Sequence, residues 1–226
     1  RKSPGAAKET FPRRKTPGAS KGFLKNSISL TWVLGKYLRI IRYWCLFSGV
    51  GILQYEMKGK RPSVSQSAFI APNAVLIGDV HVEDEASVWF SCVVRADINA
   101  ITIGKGTNIQ DACVLHVTNH HALSVGNRVT VGHGAILHGA TIEDDCLIAM
   151  GSIVLDGALI GSHSVVAAGC IVSPGTQIPP GSLVMGVPGK VVRQVTERDR
   201  ELIERGWQNY VGYSKDYQKD LKPISE

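Results

Sequence analysis

The chain has 226 residues, enough to bury a sizeable core as one domain or, at most, two. Aromatic content is only 7% while glycine is abundant and Val and Ile recur, which suits a β-rich fold of short strands and argues against a helical bundle. The charge of +6 is unevenly placed: residues 1–56 hold eleven Lys or Arg against only Glu9 and Glu56, whereas residues 57–226 hold fourteen bases and seventeen acids. The body therefore lacks the basic face that nucleic-acid binding needs, and no nucleic-acid partner is expected.

Residues 3–22 are rich in Pro, Gly, Ser and Lys and lack the apolar surface to order themselves. Residues 28–53 are more apolar, but Lys36, Arg39 and Arg42 interrupt them before an uncharged run reaches the ~18 residues that a membrane span needs. No transmembrane span is expected. The repeat described next begins only after Met57, so residues 1–56 are expected to be a basic extension, disordered or non-native, with Met57 the natural start. The alternative is a native targeting role, because a basic, acid-poor leader resembles an organellar transit peptide and would place the protein in mitochondria. Cys45, Cys92, Cys113, Cys146 and Cys170 form no CxxC pair, and the default expectation is a reduced, cytoplasmic protein.

From residue 70 onward a six-residue period governs the chain. Aliphatic residues fall at Ile70, Leu76, Val82, Val88 and Val94, then after an insertion at Ile103, Ile109 and Leu115, then after another at Val125, Val131 and Leu137. The register slips by one and resumes at Ile142, continuing every six residues to Val184. Four residues after most of these positions stands a small residue, including Ala74, Ala86, Ala135, Ser152 and Ser164. Cys92, Cys113, Cys146 and Cys170 share that position, so packing at tight corners explains them better than catalysis. Three such steps make one triangular coil, and successive coils stack as parallel strands ~4.8 Å apart. The expected fold is an all-β solenoid, a parallel β-helix over residues 57–190. Beyond Met185-Gly186-Val187-Pro188-Gly189 the period changes, and Thr196 is placed to cap a helix running past Leu202, Ile203 and Trp207 towards Tyr217, packed along the coil stack within a region 191–226.

The repeat also places the histidines. His116 and His138 each stand one position after an interior residue, on one face and one coil apart, with Arg95 in the same column. His133 lies two positions after Val131, on the adjacent face, in a column with Asp111. Imidazoles from two faces cannot meet within one prism but can meet between prisms, so a threefold trimer with three shared sites is expected. Three imidazoles with an open fourth position form the zinc arrangement suited to chemistry, and such an ion lowers the pKa of bound water to ~7. Imidazole serves Fe2+ and Co2+ as well. The competing reading is that these are surface or subunit-contact histidines, and His81 and His163, lacking such partners, are read as solvated.

The segments Val94-Arg95-Ala96-Asp97, Asn108-Ile109-Gln110-Asp111 with His116, and Val131-Gly132-His133 through His138-Gly139 resemble the gamma-class carbonic anhydrases, within the hexapeptide-repeat superfamily of left-handed β-helices. The resemblance extends over about residues 60–220. It implies that His116, His133 and His138 bind the metal, that Gln110 orients bound water or substrate, and that Arg95 pairs with carboxylates and holds bicarbonate. It further implies that Asp97 and Asp111 lock this network across the subunit contact, with interface ion pairing alone as the rival role, and that Tyr210 matches a pocket tyrosine. The implied reaction is reversible hydration of carbon dioxide to bicarbonate. Where the best-characterised active members carry a Glu after the residue matching Asp97, this chain has Ile98; in place of their long acidic loop it has only Val117 to Ser124, and Gly212 stands where they have an Asn. His120 and His121 lie in that short loop as candidate proton carriers. Two other functions stay open: a metal-binding trimer of low or no activity with a structural or assembly role, and coenzyme A-linked acyl transfer or thioester hydrolysis.

Overall fold

The computed structural model describes residues 53–224; the structural expectations for residues 1–52 lie outside this range. The chain winds into a left-handed parallel β-solenoid of about seven turns, followed by one C-terminal helix. One face stacks strand segments Val75–Ile77, Val93–Arg95, Val114–His116, Ile136–His138, Ile153–Val154 and Ile171–Val172 in parallel register. The next carries Ile101–Ile103, Leu123–Val125, Thr141–Ile142, Leu159–Ile160 and Gln177–Ile178. The third runs from Phe69–Ile70 through Ser87–Val88, Asn108–Ile109, Thr130–Val131, Leu147–Ile148 and Val165–Val166 to Ser182–Met185.

The six-residue period is the core itself. Leu76, Val94, Leu115, Leu137 and Val154 are fully buried on the first face, as are Val88, Ile109, Val131, Ile148, Val166 and Val184 on the third. Each aliphatic residue rests on those one coil above and below it, so the interior is a set of unbroken hydrocarbon columns. The small residues sit at the corners, where Cys92, Cys113, Cys146 and Cys170 are free and buried. Burial pushes the Cys146 thiol up to about 12, which makes it a packing group and not a nucleophile.

Two features depart from the expectations or were not foreseen. Leu53–Tyr55 pairs in parallel with Val75–Ile77, so ordered strand begins inside the segment set aside as residues 1–56. After the last coil the chain reverses into an antiparallel strand, Lys190–Gln194, on Ser182–Met185, before the helix starts. The helix spans Glu197–Asp220, capped by Thr196 and Asp199 in a reciprocal capping box. Its residue Ile203 is buried with Val165, Leu183 and Val195, and its aromatics meet the solenoid where Tyr217 and Tyr210 stack edge-on against Trp89 at 4.9 and 5.1 Å. Close approach is set at Gly206, where a Cβ would lie 2.8 Å from Thr130 Oγ1.

Candidate metal centre

The expected column is present: Arg95 is paired with His116, and His116 with His138, on adjacent strands of the first face. Alternation turns Val94, Leu115 and Leu137 inward and these three side chains outward. The two imidazoles tilt together, with His116 Nδ1 facing His138 Nε2 at 3.0 Å. Behind them, His116 Nε2 meets Asp97 Oδ1 at 3.1 Å, and His138 Nδ1 meets Asp156 Oδ1 at 2.6 Å. Arg95 donates through Nη1 to the other oxygen of Asp97 at 2.5 Å. Burial works against the Asp97 charge, but hydrogen bonds from Arg95 and His116 overcome it and hold the carboxyl below the usual carboxylate range.

This arrangement fits a metal on chemical grounds. A neutral imidazole that donates one N–H to a carboxylate presents a lone pair at its other nitrogen. Both rings have a carboxylate behind them, so two lone pairs would face each other across 3.0 Å, which requires a proton or a cation between them. That separation is close to the ~3.3 Å between two nitrogens each ~2.0–2.1 Å from a tetrahedral ion.

The other expected residues gather elsewhere. His133 follows the third-face strand Thr130–Val131 and faces Asp111, Nδ1 to Oδ2, at 2.8 Å. Asp111 Oδ1 accepts the Phe90 backbone N–H, and Asp111 lines a cavity of about 340 Å³ with Trp89, Phe90, Tyr210, Tyr213 and Tyr217. Burial, with the Asp111 charge adding to it, pushes the Tyr210 phenol up to about 12, so it keeps its proton at neutral pH. Gln110 is buried and donates from Nε2 to Asn108 Oδ1 at 3.1 Å. Among the described residues of one chain, no three His, Cys, Asp or Glu side chains converge closely enough to hold a metal. His81 and His163 are half exposed; each has an aspartate within ion-pair reach, Asp79 at 3.1 Å and Asp145 at 3.9 Å.

Sequence reading missed Asp156. The only signal was an outward acid 18 residues after His138, one more than the 17 that separate the paired Leu137 and Val154. His121 also packs where it was not foreseen, its ring against Gly157 and its Cβ against Gly139.

The coil geometry and its outward histidines define a hexapeptide-repeat protein, and residues 139–174 match the bacterial transferase hexapeptide (six repeats) family. A Bacillus cereus protein of known crystal structure, provisionally described as an acetyltransferase, superposes with a TM-score of 0.73 at 44% identity, over 74% of this chain and 96% of that one. The chain is 51% identical over 152 residues to a Methanocaldococcus jannaschii protein named "Probable carbonic anhydrase", over 67% of this chain and 96% of its relative. It is 39% identical over 173 residues to Arabidopsis thaliana gamma carbonic anhydrase 1, mitochondrial, over 74% of this chain but only 63% of the longer plant protein. The chain belongs to the gamma carbonic anhydrase family.

Proposed function

We propose that the chain is a gamma-class carbonic anhydrase-like metalloprotein that interconverts carbon dioxide and bicarbonate. The facing nitrogens of His116 and His138, each ring backed by a carboxylate, carry this proposal. Zinc is the metal proposed, with Fe2+ or Co2+ suited to the same donors. When bound, such an ion makes hydroxide available from water near neutral pH. His133 supplies the third ligand from a neighbouring subunit of a homotrimer, since within one chain it lies on another face. An outward column of Val93, Val114, Ile136, Ile153 and Ile171 beside His116 and His138 supports this, because Val114 is left 41% exposed in the single chain and invites cover.

Around the metal, Arg95 spends only Nη1 on Asp97 and keeps other donors for the bicarbonate oxygens. Asp97 holds Arg95 and His116 together, Asp111 orients His133, Gln110 orients water or substrate, and Tyr210 offers a phenol that remains a hydrogen-bond donor. Among the described residues no helix is long and apolar enough to cross a membrane. A cytoplasmic location is proposed, with mitochondrial the alternative that the plant relative's name and the basic residues 1–56 favour.

A second reading, a metal-stabilised trimer with a structural or assembly role, draws support from one place in the fold. Ile98, 44% exposed beside Asp97, and the loop Val117–Ser124 present no carboxylate to carry protons away. Stopped-flow carbon dioxide hydration on zinc- and anaerobically iron-loaded protein separates the two. Catalysis that disappears in His138→Ala supports the enzyme, whereas a fully loaded trimer no faster than buffer supports the structural role.

A further inference from the structure

Each of the three candidate ligands stands against a carboxylate: His116 against Asp97, His133 against Asp111, and His138 against Asp156. The first two acids belong to the set the sequence pointed to. The third does not. We propose that Asp156 is a positioning residue that fixes His138 in the tautomer protonated at Nδ1 and aims its Nε2 lone pair at the metal; this rests on the metal reading above.

Three observations carry it. The 2.6 Å contact from His138 Nδ1 to Asp156 Oδ1 is short, as hydrogen bonds to an ionised carboxylate are, and among the described residues it is the only side-chain hydrogen bond that Asp156 makes. An imidazole that donates from Nδ1 presents Nε2 as an acceptor, and Nε2 is the nitrogen that points at His116. The backbone also fixes Asp156 in place: Gly157 donates to the Gly139 carbonyl at 2.7 Å, and Gly175 donates to the carbonyl of Asp156 at 2.8 Å.

Residue 139 is cut to suit. A Cβ there would lie 2.5 Å from Asp156 Oδ1 and 2.9 Å from His121 Cβ, and its φ of +53° is left-handed. The carboxylate thus occupies the space that any larger residue after His138 would fill, so the glycine lets Asp156 reach the ring. Carboxylates behind histidine ligands orient the ring and raise its basicity, and losing one typically weakens metal binding ~10–100-fold.

The test uses the full chain as wild type, Asp156→Ala, Asp156→Asn and His138→Ala. Zinc affinity is measured by chelator competition, and the His138 tautomer in metal-free protein by 15N NMR. Asp156→Ala should weaken zinc binding ~10–100-fold and shift His138 towards the form protonated at Nε2, with the melting temperature of the metal-free protein little changed. Asp156→Asn should lose less, because its amide oxygen can still accept the Nδ1–H. Wild-type zinc affinity in Asp156→Ala, or an unchanged His138 tautomer, overturns the proposal. His138→Ala is the separate control: undiminished zinc binding there brings down the metal reading, while the tautomer measurement still decides the role of Asp156.

Discussion

Replacing Ile160 by Ala, beside a matched Leu159→Ala, tests the inward-outward alternation on which every site assignment depends. Ile160 is fully buried, and backbone pairing pins it between Ile142 and Ile178 in the coils on either side. Truncation removes three carbons, worth about 2.4 kcal/mol at ~0.8 kcal/mol each. Because the ladders hold the neighbouring coils apart, the cavity closes poorly, and the total should reach about 3–5 kcal/mol. Leu159 is half buried and points outward between Thr141 and Gln177, so the same truncation should cost only about 1 kcal/mol. Urea unfolding followed by circular dichroism, at one fixed protein concentration because association adds to apparent stability, gives both values. A one-residue slip in register would exchange the two side chains. A larger loss at Leu159 than at Ile160, or a loss below about 1 kcal/mol at Ile160, would refute the register and the histidine column with it.

The remaining expectations concern the site. Asp97 has a depressed carboxyl pKa, so its contribution is fully present above the unfolded value of ~3.9 and is lost as pH falls through the lower folded value; Asp97→Asn should flatten that part of the acid unfolding curve, measured as urea midpoints from pH 5 downward. His133→Ala should abolish metal binding and weaken the trimer, read by elemental analysis and light scattering, and a metal-loaded monomer of wild type would sink the shared site. Replacing both His120 and His121 by Ala should slow hydration in weak buffer with metal content unchanged, and small imidazole-type buffers should restore it. Turnover unaffected at low buffer concentration in an active protein would eliminate both as proton carriers.

The interior was legible because it is periodic. Every aliphatic position from Ile70 to Val184 that the sixfold repeat assigned inward is buried, and the column of Arg95, His116 and His138 follows from it by one-residue alternation. The helix start was legible because capping is local, and Thr196 caps it as expected. What escaped is set by contacts without a period. Leu53–Tyr55 and Lys190–Gln194 are exposed strands held chiefly by backbone pairing to an edge, which leaves little trace in side-chain pattern. Asp156 was hidden because an outward acid on a solenoid is ordinarily solvated, and only the side-chain contact with His138 gives it a partner. Ring orientation was equally out of reach: the repeat puts His116 and His138 in one column but says nothing of which nitrogens face each other.

The proposed trimer couples metal binding to assembly through two adjacent columns. The aliphatic column containing Val93, Val114 and Ile136 runs beside the polar one, two residues earlier in each strand, so a neighbour that brings His133 to His116 and His138 must also cover the hydrocarbon. Covering it expels water from around Asp97 and Asp156, and in that drier setting their hydrogen bonds to the imidazoles strengthen. The third ligand and the low-dielectric surroundings therefore arrive in one step. A lone chain holds two of the imidazoles together and neither of these advantages. By mass action, zinc should then pull dilute protein towards the trimer, and dilution at fixed free zinc should release metal as subunits part. Sedimentation velocity across a range of zinc and protein concentrations reads both directions of that linkage, and a subunit distribution indifferent to zinc would break it.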